Sequence, residues 1–209
     1  IGGVTGARFF HPAHPDQEGV DQVVRNNFIA DCDDAVFEIR GALRARIYHN
    51  TVVTQTRFAI FRFQTGNSAA DVPSGNDEIE IANNLIVSAG GDPQYARNDA
   101  GEGAFVFRSQ LWAGPFHNSG ATGPAMPRFP LATDTVVSNH ALAPVLARAT
   151  FDGLSGLADA FERYRPAVGS PAVRAGAANS VAIVDAGGRA RDVARPSIGA
   201  LEPDSRSHD

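Results

Sequence analysis

Three stretches of this chain can be laid over one another residue by residue: residues 22–29, 45–52 and 79–86. Each reads as a short alternating strand, then an Asn, then a second apolar strand. The Asn positions are Asn27, Asn50 and Asn84, spaced 23 and 34 residues apart. The longer gap holds the polar, Gly- and Pro-bearing residues 64–77. Removing a loop of about eleven residues there restores a period near 23, within the 20–45 range of stacked structural repeats.

A second strand pattern keeps step with the first. Ala35-Val36-Phe37-Glu38-Ile39 matches Ala59-Ile60-Phe61-Arg62-Phe63, and Phe105-Val106-Phe107-Arg108 reads as a third copy. Alternation places Ala35, Phe37, Ile39, Ala59, Phe61 and Phe63 inward, and Glu38, Arg62 and Arg108 outward. In the first strand type the inward set is Val24, Ile47 and Ile81. Helical spacing is missing, and β-branched and aromatic residues dominate. Asn tolerates the left-handed backbone of a sharp strand-to-strand turn, which predicts that conformation at Asn27, Asn50 and Asn84. Stacked Asn side chains can then bond from repeat to repeat. The pattern predicts a coil of parallel strands.

Composition narrows the function classes. The chain of 209 residues is 43% hydrophobic and 20% charged, the composition of a globular protein, and no apolar run is long enough to span a membrane. A formal charge of −5 argues against a general nucleic-acid binder. All 18 basic residues are arginine. That removes lysine from every catalytic role it could play. The single cysteine, Cys32, cannot form an internal disulfide and reads as a small hydrophobe. The sequence opens Ile1-Gly2-Gly3 without Met, so it is expected to be part of a longer chain, with further repeats upstream or another chain covering that end.

On the motifs Val24-Arg25-Asn26-Asn27-x-Ile29, Ile47-Tyr48-His49-Asn50-x-Val52 and Ile81-Ala82-Asn83-Asn84-x-Ile86, the chain resembles the right-handed parallel β-helix proteins of the pectate-lyase-like group. The tail adds Gly169-Ser170-Pro171-Ala172-Val173-Arg174-Ala175-Gly176 and Arg195-Pro196-Ser197-Ile198-Gly199-Ala200-Leu201-Glu202. It is similar to the terminal segment of many secreted bacterial β-helix proteins, with Arg174, Ser197 and Leu201 standing where that pattern has Asp, Asp and an aromatic. The likeness covers about residues 20–90 and 160–202 and implies an all-β, right-handed parallel β-helix solenoid with a C-terminal capping segment. Residues 1–110 are read as β-helix rungs, 111–134 as a loop excursion rich in Gly, Pro and Ala, and 135–209 as a last rung and cap. A short amphipathic helix is expected over residues 155–164. The likeness also implies secretion or a cell-surface location, and a polysaccharide partner.

Several groupings could carry chemistry. Glu38, Arg62 and Arg108, read as one outward column, would set a carboxylate among guanidinium groups able to grip an anionic sugar by bidentate hydrogen bonds. The same column is also read as an ion-pair ladder worth under about 1 kcal/mol per pair. Arg46, Tyr48 and His49 form a second cluster, in which His49 is a candidate general base or a turn residue bonding the backbone. Glu38, Arg62 and His49 are thus the candidate catalytic residues, and Arg46, Tyr48 and Arg108 the candidate substrate contacts. His11, His14, Asp16 and Glu18 lie in a Pro-broken loop, which works against a shared metal site. Asp31, Asp33 and Asp34 suit a hard cation such as calcium or a turn, and no other cofactor is expected. In the resembling group, lyases use lysine or arginine as base and hydrolases use close aspartates. The expectation is a polysaccharide-acting or polysaccharide-binding protein, in one version a polyuronate lyase, in another a non-catalytic adhesion module.

Overall fold

The computed structural model describes residues 17–30, 32–67, 73–101, 103–118, 127–137, 145–146, 162–179 and 182–203. The chain is all-β, and among the described residues only Glu162 and Arg163 are helical, so most of the expected 155–164 helix lies outside them. The first repeat runs β1 (Gly19–Val20), β2 (Val23–Arg25), β3 (Phe28–Ala30) and β4 (Phe37–Arg40). The second runs β5 (Ala42–Leu43), β6 (Arg46–Tyr48), β7 (Thr51–Thr54) and β8 (Ala59–Gln64). After a small antiparallel hairpin, β9 (Gly66–Asn67) with β10 (Pro73–Ser74), come β11 (Ile79–Ala82), β12 (Leu85–Ser88) and β13 (Gln94–Asn98). The order closes with β14 (Phe105–Arg108), β15 (Leu111–Ala113) and β16 (Thr135–Val137).

Strands of one type pair in parallel from repeat to repeat, giving the sheets β14-β11-β6-β2, β16-β15-β12-β7-β3 and β13-β8-β4. The hairpin fills the 34-residue gap without disturbing register: Ile81 opposes Ile47 across it just as Ile47 opposes Val24. Phe105–Arg108 corrects the sequence reading. It pairs with β11, whereas the strand that continues β4 and β8 is β13. Its apolar alternation fits either strand type equally, so only pairing distinguishes them.

The turn chemistry is divided between neighbours. At these turns the left-handed residues are Asn26 (φ 57°), His49 (φ 53°) and Asn83 (φ 55°), each one position before the expected Asn, and Ser109 (φ 49°), one position before Gln110. The following residue bonds instead. Asn27 N–H and its side-chain amide donate to Asn50 Oδ1, 3.0 and 2.9 Å away. Asn50 donates to Asn84 Oδ1 in the same way, and Asn84 to Gln110 Oε1. The backbone bends at one residue so that the next can turn its amide along the stack. Gln110 N–H finally donates to Asp134 Oδ1 at 2.9 Å.

The interior is apolar and aromatic. Phe37 stacks on Phe61 at 5.2 Å, and Phe63 meets Phe105 edge-on at 4.6 Å. Such pairs add roughly 0.5–1.5 kcal/mol each beyond their burial. Part of the 111–134 stretch expected as a loop excursion lies in this core: Trp112 is wholly buried, Phe129 nearly so, and Phe116 packs against Trp112 and Tyr95. Met126 lies outside the described residues.

The β3–β7–β12–β15 sheet is buried on both faces. Val52, Ile86 and Trp112 point to the interior, while Val53, Leu85, Val87 and Leu111 pack under Val145, Leu146, Tyr164, Ala172 and Ile198. Residues 164–203 therefore lie along the flank of the repeats rather than on the last one. They reach the first repeat, where Asn26 Nδ2 donates to Val184 O at 2.9 Å. Arg191 pins this segment from a buried position. It donates to Glu202 Oε1 at 2.7 Å and to the carbonyls of Ser197, Gly199 and Ala200.

Candidate functional site

Two outward sheet faces carry the charged residues singled out above. On the β4–β8–β13 sheet, alternation sends Phe37, Ile39, Phe61 and Phe63 inward and leaves Glu38, Arg40 and Arg62 at the surface. Register sets Glu38 beside Arg62, and Arg62 beside Arg97, one strand apart each. Arg62 donates through Nη1 to Glu38 at 3.4 Å and through Nε to Asp99 at 3.0 Å. Arg40 holds Glu38 at 2.7 Å, and Arg97 holds Asp99 at 2.7 Å. Phe58 lies beneath two of these cations, 5.0 Å from the Arg62 guanidinium carbon and 5.3 Å from that of Arg97. Burial pushes the Asp99 carboxyl up, but the bonds from Arg97 and Arg62 outweigh it and hold the group below the usual carboxylate range. Three guanidinium groups against two carboxylates leave the row with a surplus positive charge. Each Arg keeps N–H groups that its acidic partner does not use.

The β2–β6–β11–β14 sheet shows a different use of the same residue. Its outward rows read Val23, Arg46, Glu80, Val106 and Arg25, Tyr48, Ala82, Arg108. Arg25 and Arg46 are exposed, and Arg108 faces Glu80 at 3.7 Å. Arg108 therefore sits apart from Glu38 and Arg62. At the adjoining turn, Arg44 holds Asp21 at 2.7 Å, and that hydrogen bond lowers the Asp21 carboxyl.

Tyr48 and His49 lie under the flank segment. Tyr48 is 8% exposed and packs with Ala82 and Ala182, and His49 is 0% exposed. Nε2 of His49 is 3.3 Å from Asn83 Nδ2. Asn83 grips the flank from both sides of its amide: it donates to Ala177 O at 2.9 Å and accepts from Ala177 N at 2.7 Å. Of the six candidates, Glu38 and Arg62 share one face. Arg46, Tyr48 and Arg108 share another, and His49 occupies the turn beside it, under the flank.

Sequence reasoning missed Arg97, Asp99 and Phe58. A signal existed in Tyr95-Ala96-Arg97-Asn98, which alternates weakly, but its small and polar residues hide the strand. A shallow cleft of about 780 Å³ lies elsewhere, lined by Gln17, Asn76, Asp77, Gly101 and Ala104, and includes none of the six candidates. Cys32 is half-buried, and burial with nearby Asp33 and Asp34 pushes its thiol up, away from the reactive thiolate. Among the described residues no group of three His, Cys, Asp or Glu side chains is placed to hold a metal ion. His11, His14, Asp16 and Asp31 lie outside the described residues. Among the described residues no helix is long and apolar enough to cross a membrane. No model of a known protein family matches the chain, and no curated protein matches it.

Proposed function

We propose that this chain is part of a secreted or cell-surface right-handed parallel β-helix protein, related to the pectate-lyase-like group, whose β4–β8–β13 face binds an acidic polysaccharide. The in-register row of Glu38, Arg62 and Arg97 is the observation that carries this reading. Parallel strands step about 4.8 Å, so the row offers a repeating set of fork-shaped donors to a repeating anionic polymer. Right-handedness follows from the rule that parallel crossovers take that hand. Arg46, Arg25 and Arg108 on the neighbouring face would add charge attraction at longer range.

Binding is favoured over cleavage by the state of the groups. Both carboxylates of the row are ion-paired to guanidinium groups, and His49 is buried beneath the flank. A lyase would need one of them to take a proton from the sugar. Titrating polygalacturonate, alginate and chondroitin sulfate, with neutral dextran as control, tests the reading. Salt-sensitive binding of the anionic polymers without unsaturated product is expected. Failure to bind any of them would refute it, and unsaturated product that disappears in Glu38→Ala would establish the lyase instead.

A further inference from the structure

Asp99 lies one residue beyond the end of β13, two positions from Arg97 and so on the same side of the strand. Its backbone N–H donates to Phe63 O at 2.8 Å. Asn98 closes the turn behind it, accepting from the N–H groups of Ala100 and Gly101 and donating to Gly101 O. The carboxylate is therefore placed by backbone bonds as well as by the arginines it meets. Its two oxygens are divided between them: Oδ2 accepts from Arg62 Nε at 3.0 Å, and Oδ1 from Arg97 Nε at 2.7 Å. One anion thus bridges two guanidinium groups on adjacent strands, with Phe58 under both.

Glu38 is arranged differently. Arg40, on its own strand, holds it at 2.7 Å, and Arg62 reaches it only at 3.4 Å. It mainly neutralises Arg40 and leaves the bridging of Arg62 and Arg97 to Asp99. Two guanidinium groups shared by one multi-oxygen anion is also how an external anionic group would be gripped there. Asp99 competes with such a group without losing translational freedom, because it is already tethered.

We propose that Asp99 is an internal competitor for the ligand: its carboxylate occupies the place between Arg62 and Arg97 that an anionic group of the polymer takes, and so lowers the affinity of this face. The inference rests on the reading of the β4–β8–β13 face as a polysaccharide surface. An exposed ion pair is worth up to about fivefold in an equilibrium constant, and Asp99 makes two of them.

The test titrates polygalacturonate into the parent chain, Asp99→Asn and Glu80→Gln, each checked for an intact thermal transition. Glu80 is a matched control on the neighbouring face: it also faces an arginine, and its side chain is 27% exposed, as is that of Asp99. Both substitutions remove one negative charge. At about 0.15 M salt, where exposed charges more than about 8 Å apart are largely screened, Glu80→Gln is expected to change affinity less than about twofold. Asp99→Asn is expected to raise it about five- to tenfold, and Asp99→Ala to do the same. Equal gains for positions 80 and 99, no gain at 99, or a gain confined to the Asn variant would each overturn the inference while leaving binding by the parent intact. Sodium sulfate at constant ionic strength, followed by nuclear magnetic resonance of the Arg62 and Arg97 Nε–H groups, separates the two readings. It is expected to shift these signals in Asp99→Asn at a several-fold lower concentration than in the parent, and equal midpoints would overturn the inference. That difference with no polymer bound by any variant would uphold Asp99 as the occupant of an anion site and refute the polysaccharide surface.

Discussion

The amide ladder and the arginine row run in the same direction, across successive parallel strands, and both are built from polar side chains repeated once per strand. Their surroundings separate them. Asn50, Asn84 and Gln110 are wholly buried, and each bonds to its neighbours in a chain of defined donors and acceptors. The side chains of Arg62 and Arg97 remain 22% and 36% exposed, and their ion pairs face water. A buried polar group without its partner forfeits its full desolvation penalty, whereas an exposed ion pair contributes about 1 kcal/mol or less. The same strand spacing thus yields a structural spine inside and a solvent-facing ion-paired row outside.

The sharpest way to break this contrast is at the centre of the ladder. Asn84→Leu would orphan the Asn50 N–H in the interior and take the Asn84 side-chain donor from Ile47 O and Gln110 Oε1, leaving the latter only the residue-84 backbone N–H. It is expected to lower stability by about 2–6 kcal/mol, or roughly 5–15 °C in the melting midpoint, as measured by calorimetry. A loss of less than about 1 kcal/mol would place the ladder on a par with the surface row.

A smaller effect separates the two regions by pH. Asp99, held below its usual range in the folded state, contributes stability that is complete above the unfolded carboxyl value of about 3.9 and is lost as pH falls through the folded value. Asp134 acts with the opposite sign. Burial raises its carboxyl, against the bonds from Leu131, Trp112 and Gln110, so folding favours its protonated form and stability rises as pH falls through the raised value. Asp99→Asn is expected to flatten the loss of stability below about pH 4 in acid titrations followed by circular dichroism. An unchanged acid limb would show that the row contributes nothing through this carboxylate.

The inner half of the molecule was more legible in the sequence than the outer half. Asn27, Asn50 and Asn84 each recur between a strand that alternates and an apolar strand, and the second and third of these apolar strands are buried on both faces, which keeps the repeat visible. The parallel stacking follows from it. The location of the left-handed turn was off by one residue, because Asn26-Asn27 and Asn83-Asn84 are doublets in which either member could bend. Arg108 was misassigned because Phe-Val-Phe-Arg alternates like β8 although it pairs with β11. The burial of Tyr48 and His49 was not readable at all, since it depends on contacts with Asn83 and Ala182 from segments distant in sequence. Outward residues are less constrained by packing, so Arg97 and Asp99 left only the weak alternation of Tyr95-Ala96-Arg97-Asn98.

The smallest expected change in stability goes with the most direct test of the proposed binding face. Arg62→Ala combined with Arg97→Ala removes two guanidinium groups from the row while leaving the ladder intact. Affinity for polygalacturonate, measured by calorimetric titration at low salt beside the thermal midpoint, is the decisive measurement. The expected result is at least about a tenfold loss of affinity, equivalent to about 1.4 kcal/mol, with the midpoint shifted by only a few degrees. Unchanged affinity with a normally folded variant would contradict assignment of the β4–β8–β13 face as the polysaccharide surface.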